Sequence, residues 1–299
     1  MRRFSLIVVV VACVAACSTK APASSSSTID VVVAESAWGS LATQLAVGRI
    51  HVVSLVTNPD ADPHDYEPTA DDARALSTAR YVIFNGVGYD EWARRIVDSN
   101  DDPAQTVLDI GALVGAHTGD NPHRWYFPDD VRKVVDRIVD DYKTIDPANA
   151  AAFDARKVEF ESNQFSLYTA ALDGIREHYA HVKVGASESL FVGVADATGL
   201  DLVTPRAFIN AISEGVDPTA GDKSSVDDQI ANRDIKVFVF NPQNSTPDVA
   251  NMVDAAKRQR IPVVEFTETL VPQGATFVDW QVGQLHALAD ALASSSSGA

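Results

Sequence analysis

From Ile29 onward the chain alternates short β-branched runs with longer stretches of helical period, the pattern of β-α-β units around a mostly parallel sheet. The β-branched runs predict strands at residues 30–33, 51–56, 81–84 and 106–109, and again at 182–186, 200–204, 237–240 and 263–266. Between them, residues 38–47 close at Gly48 as a helix would, and residues 71–79 follow a polar start. Pro128-Asp129-Asp130 has the composition of a first helical turn, where proline's missing donor is no loss and acids favour the positive end of the helix dipole. Residues 131–142 continue that helix, and others are expected at 189–198, 225–232, 247–258 and 276–292.

The segment from Ala148 to about His181 has one Gly and no further Pro, and its apolar residues Phe153, Val158, Phe165, Leu167, Ala171, Leu172 and Ile175 fit one helical stripe. It is too long for an ordinary crossover helix. The chain therefore reads as an α/β protein of two Rossmann-like lobes, residues 29–145 and 182–293, joined by a linking helix at 146–181 and followed by a disordered tail at 294–299.

The first residues carry a different pattern. Arg2 and Arg3 precede an apolar run at 6–14, and the small residues Ala15 and Ala16 lead into Cys17. The run is shorter than the roughly 20 residues a bilayer requires, so residues 1–16 read as an export signal that is removed. Val14-Ala15-Ala16-Cys17 resembles the lipobox of bacterial lipoproteins, which implies cleavage before Cys17 and lipid attachment to it. Residues 17–28 are small and polar and are expected to form a flexible leash, placing the folded part outside the cytoplasm and anchored to the cell membrane.

Of the two cysteines, Cys13 leaves with the signal and Cys17 is consumed by lipid, so no disulfide framework is available. Stability has to come from apolar cores, which 299 residues at 46% hydrophobic content can supply, and a monomer is expected. The formal charge of −17 falls to −19 when Arg2 and Arg3 depart, which argues against nucleic acid as a partner and mildly favours cations near the surface.

Two loop segments then carry candidate chemistry: Asp62-Pro63-His64-Asp65-Tyr66-Glu67-Pro68 after the second strand, and Asn121-Pro122-His123-Arg124-Trp125 after the fourth. In each, a proline fixes the backbone before an imidazole, the commonest protein ligand for borderline divalent metals. The second half offers Ser187-Glu188-Ser189 and Phe266-Thr267-Glu268-Thr269, each just past a strand. Ligands of open α/β sheets bind beyond the carboxyl ends of strands, so four such donors at four such ends outweigh any one of them. Taken singly, each histidine is also compatible with a solvated loop residue, and each glutamate with an acid at a helix start. The donors lie 59, 65 and 80 residues apart, which excludes a local metal finger and requires the whole fold to assemble the site between the lobes.

These motifs resemble the zinc- and manganese-binding solute-binding lipoproteins of bacterial ABC importers, over nearly everything after Thr28. The resemblance implies two lobes linked by one long helix, limited domain closure, a buried metal held by His64, His123, Glu188 and Glu268, and a permease in the membrane as partner. Three departures stand out: Glu268 occupies a position usually filled by Asp, Asn121 replaces the Asp that commonly precedes the second histidine, and the histidine-rich loop of many zinc members is absent, His117 being the only extra histidine near His123. Two imidazoles and two carboxylates favour Mn²⁺ by donor hardness, whereas intrinsic affinity rises from Mn²⁺ through Fe²⁺ to Zn²⁺. A secreted binding protein for an organic solute and a zinc metallohydrolase are the competing classes. The second lacks a His-Glu-x-x-His helix, and four protein ligands leave no open position for a reactive water, so no enzyme is expected.

Overall fold

The computed structural model describes residues 28–100 and 102–297. The export signal, Cys17 and the leash up to residue 27 lie outside the described residues.

Two four-stranded sheets form, both wholly parallel. In the first lobe, β1 (Ile29–Glu35), β2 (Ile50–Val56), β3 (Tyr81–Phe84) and β4 (Thr106–Asp109) lie in the order β2-β1-β3-β4. In the second, β5 (Lys183–Ala186), β6 (Asp201–Leu202), β7 (Phe238–Phe240) and β8 (Val263–Glu265) lie in the order β6-β5-β7-β8. The central strand β1 reads Ile-Asp-Val-Val-Val-Ala-Glu because helices cover both its faces, and Val31, Val33 and Ala34 are fully buried. Strand order reverses between β1 and β3 in one lobe and between β5 and β7 in the other, and beyond those carboxyl ends a crevice opens.

The linking helix runs as Ala150–Phe160, a π-turn at Glu161–Phe165, and Ser166–Tyr179. Its buried stripe is Phe153, Phe160, Phe165, Tyr168, Leu172 and Ile175. The five-residue step from Phe160 to Phe165 is what the wider π-turn accommodates while keeping both rings inward. Two positions of the expected stripe face water instead, Val158 at 62% and Leu167 at 57% exposed.

Three helices escaped the apolar pattern: Glu91–Asp98, Ile110–Val114 and Arg206–Ser213, each only one or two turns long. The strand expected at 200–204 shrinks to β6, because Pro205 ends it and the Thr204 hydroxyl, rather than a backbone carbonyl, accepts from the Ala186 N–H at 2.9 Å. The final helix, Phe277–Ser297, carries through Ser294, correcting the tail expected from there. The hydroxyls of Ser294 and Ser295 donate to the carbonyls of Ala291 and Leu292 at 2.8 Å, which supports the last turn.

That helix packs along Ser166–Tyr179 and also reaches the helix Ser36–Leu45 of the first lobe, so one apolar core runs continuously from Val31 and Tyr81 to Phe266 and Leu288. Contact between the lobes is close enough that a Cβ on Gly193 would collide with the Tyr126 carbonyl. Among the described residues, no helix is long and apolar enough to cross a membrane.

Candidate metal centre

His64 sits in a single 3-10 turn, Pro63–Asp65, after β2. Asp62 starts the turn by accepting the His64 N–H at 2.8 Å, and Tyr66 donates to Asp72 at 2.9 Å. Asp72 in turn forms a reciprocal capping box with Thr69 at the head of the helix Ala70–Thr78, so the loop is tied down on the downstream side of the imidazole.

His123 lies after β4 and the helix Ile110–Val114, and it is fully buried. Asn121 positions it by accepting from the His123 backbone N–H and facing Nδ1, both at 3.0 Å. With the Nδ1 proton directed at Asn121, the lone pair is on Nε2, which points into the cleft. The Asn121 amide nitrogen also donates across the cleft to the Ser189 carbonyl at 2.7 Å. An aspartate could orient the ring but could not donate, which gives the unusual Asn121 a physical role.

Glu188 follows β5 in extended conformation, and Glu268 follows β8 with its backbone N–H on Gln243 Oε1 at 2.7 Å. The four expected side chains converge: one donor atom from each of His64, His123, Glu188 and Glu268 lies within 4.8 Å of all the others. Glu268 Oε2 is 3.2 Å from His64 Nε2 and 3.1 Å from His123 Nε2, and His123 Nε2 is 4.0 Å from Glu188 Oε1. His64 alone retains accessible surface, 23% of its side chain, where a cavity of about 650 Å³ bounded by Asp62, Tyr89, Asn121 and Ser213 opens onto it.

The two carboxylates are driven in opposite directions. Burial by itself would raise the Glu268 carboxyl, but the imidazoles of His123 and His64 overrule it and hold the group well below the usual range. Burial, reinforced by the charge on Glu268, pushes Glu188 well above its ordinary value. Burial pulls His123 down, whereas for His64 the attraction of Glu268 exceeds the burial penalty and raises it. Two carboxylates this close and this dry cannot both stay ionised unless a cation joins them.

Several residues of the site were invisible in the motifs. Tyr89 donates to Glu268 Oε2 and Asn241 Nδ2 to Glu268 Oε1, each at 2.7 Å, while Asn244 approaches Glu188 Oε1 at 3.5 Å. The segment Asn241-Pro242-Gln243-Asn244 follows β7, so the strand-end rule that selects the glutamates applies to it equally. Trp125, fully buried, closes the back of the site with its ring centroid 5.6 Å from that of His123.

A two-lobed α/β binding protein, with a dry cluster of two imidazoles and two carboxylates between its lobes, is the class that fold and site define. The sequence profile of the family described as zinc-uptake complex component A, periplasmic (ZnuA), matches residues 31–291, and the chain belongs to that family. The manganese-binding lipoprotein MntA of Halalkalibacterium halodurans is 27% identical over 253 residues, 81% of this chain and 82% of that protein. The manganese ABC transporter substrate-binding lipoprotein PsaA of Streptococcus mitis is 24% identical over 287 residues, 91% of this chain and 90% of that one. Among solved structures, the solute-binding protein FpvC of Pseudomonas aeruginosa in complex with Mn²⁺ superposes with a TM-score of 0.73 at 21% identity, covering 90% of this chain and 99% of its own, which shows the shared fold.

Proposed function

We propose that the protein is the extracytoplasmic substrate-binding lipoprotein of an ABC importer, which captures a divalent transition metal ion and hands it to the membrane permease. His64, His123, Glu188 and Glu268 bind the ion as transported cargo, and a lipid on Cys17 holds the protein, as a monomer, at the cell membrane. The observation that carries this reading is the convergence of four donors, drawn equally from both lobes, on one buried point. Burial and the charge on Glu268 push Glu188 up while the two imidazoles hold Glu268 down, and a dication at that point would relieve both carboxylates together. We read it as a binding site: four protein donors complete the tetrahedral shell of Zn²⁺ and leave that ion no position for a reactive water.

The cargo is manganese or zinc, with Fe²⁺ the third possibility. An oxygen-rich donor set and the manganese named for MntA and PsaA favour Mn²⁺, while the affinity order ensures that Zn²⁺ binds at least as tightly in isolation. The decisive experiment titrates chelator-treated protein with Mn²⁺ and Zn²⁺ in competition and repeats it on His123→Ala. Losing a direct ligand should weaken both ions more than the roughly 10- to 100-fold typical of an outer contact. Unchanged affinity for both removes His123 from the site and the reading with it.

A further inference from the structure

Tyr89 lies in none of the four ligand loops, yet it touches three of the four ligands. It sits in the turn between β3 and the helix Glu91–Asp98, on the first lobe, and its hydroxyl crosses the cleft to donate to Glu268 Oε2 at 2.7 Å. Its ring stands edge-on to His64 with centroids 4.6 Å apart and to His123 at 6.1 Å, and it is backed by Trp125 at 5.3 Å. The phenol is thus wedged in place by aromatic packing and has little freedom to withdraw.

The consequence falls on Glu268. Its Oε2 faces both imidazoles and accepts from Tyr89, while its Oε1 is held by Asn241 at 2.7 Å. Turning the carboxylate so that both oxygens face one ion would break one or both of these bonds. Glu188 is held more loosely: Oε2 has no hydrogen-bond partner, and the group has only the Asn244 amide at 3.5 Å from Oε1 and the Asn241 amide it shares with Glu268. Resting on the function proposed above, we propose that Tyr89 is a positioning residue that tunes ion preference, by holding Glu268 to a one-oxygen contact while Glu188 can offer both of its oxygens.

The protein then supplies at most five donor atoms. Zn²⁺ is satisfied by four, whereas Mn²⁺ favours higher coordination with more oxygen, so a sixth donor rewards Mn²⁺ and leaves Zn²⁺ nearly indifferent. Glu268, a methylene longer than the aspartate usual at its position in the family it resembles, has the reach to chelate once released. Tyr89→Phe keeps the ring and its packing and removes only the hydroxyl. The variant's ratio of Mn²⁺ to Zn²⁺ affinity should rise by about tenfold, the scale of one hydrogen bond to a charged group. X-ray absorption of the Mn²⁺ complex should show one more oxygen neighbour than in the parent protein, and the metal-free melting temperature serves as a check on folding. An unchanged ratio, or equal losses for the two ions, overturns the role of Tyr89. Failure of the parent protein to bind either ion instead overturns the function on which the role rests.

Discussion

Replacing Asn121 by aspartate separates the two tasks this side chain performs. Asn121→Asp keeps an oxygen facing His123 but loses the amide that donates to the Ser189 carbonyl across the cleft at 2.7 Å. That carbonyl keeps a second donor, the Val192 N–H, so it is not orphaned and the lost bond costs about 1 kcal/mol. A carboxylate oxygen set against a carbonyl oxygen in a half-buried position adds desolvation and repulsion of about 2 kcal/mol or more. The charged acceptor strengthens the two bonds from His123, returning about 1 kcal/mol. The balance is a loss of about 2 kcal/mol, which for a protein of this size lowers the melting temperature by about 4–8 °C. Scanning calorimetry of the metal-free variant at neutral pH measures that loss, while Zn²⁺ affinity should hold or rise because a carboxylate makes the His123 imidazole more basic. A metal-free melting temperature equal to that of the parent refutes the assignment of the Asn121 amide as a tie between the lobes.

Three other outcomes follow from the same geometry. Metal uptake has to expel the protons that raised affinities keep on Glu188 and His64, so apparent affinity should fall as pH drops through the neutral range. Calorimetric titration in buffers of different ionisation enthalpy detects the released protons, and a pH-independent affinity contradicts the titration pattern. The buried carboxyls Glu35 and Asp90, on the first lobe, are both raised by burial, Asp90 to about 6, so folding retains protons that the unfolded chain releases. They therefore cost stability above the unfolded values, and the cost disappears as pH falls. Glu35→Gln should raise the melting temperature at pH 8 and lose that advantage near pH 4, as a pH series of melts would show. Gly193→Ala forces a methyl into the Tyr126 carbonyl and should destabilise the fold by about 1–3 kcal/mol in urea titrations.

The elements that were legible in the sequence are those whose signal is local. β1 announced itself as an unbroken β-branched run because both faces are covered, and His64 and His123 stood out because a proline fixes the chain before each. Glu188 and Glu268 needed one further idea, that strand ends face the crevice, and both do lie just past strands. What stayed hidden depends on partners distant in sequence. Nothing near Tyr89 indicates that its hydroxyl meets a carboxylate 179 residues away, and Asn241 gains its role only from Glu268 arriving beside it. The linking helix shows a subtler limit. Leu167 sits one heptad after buried Phe160 yet faces water, because the π-turn inserts an extra residue between Phe160 and Phe165 and thereby resets which later positions point inward, whereas Val158, ahead of that turn, simply lies off the face that Phe153 and Phe160 share.

The titration pattern and the packing together bear on how such a site can both hold an ion and give it up. One dication against two carboxylates and two neutral imidazoles sums to zero charge, so the loaded cleft needs no further compensation although it is nearly dry. Without the ion, Glu268 leans on the imidazoles and Glu188 takes a proton, which leaves the site tolerable rather than repulsive. With the proposed ligand set, loading exchanges one cation for protons within a preformed cage. Large lobe movements are opposed by the continuous apolar core and by bonds such as Gln243 Nε2 to the Pro59 carbonyl at 2.8 Å. The proposed hand-over to a permease accordingly requires only a small displacement, and the His64 turn is where it can begin, since His64 is the one proposed ligand at the cavity and the other three are sealed.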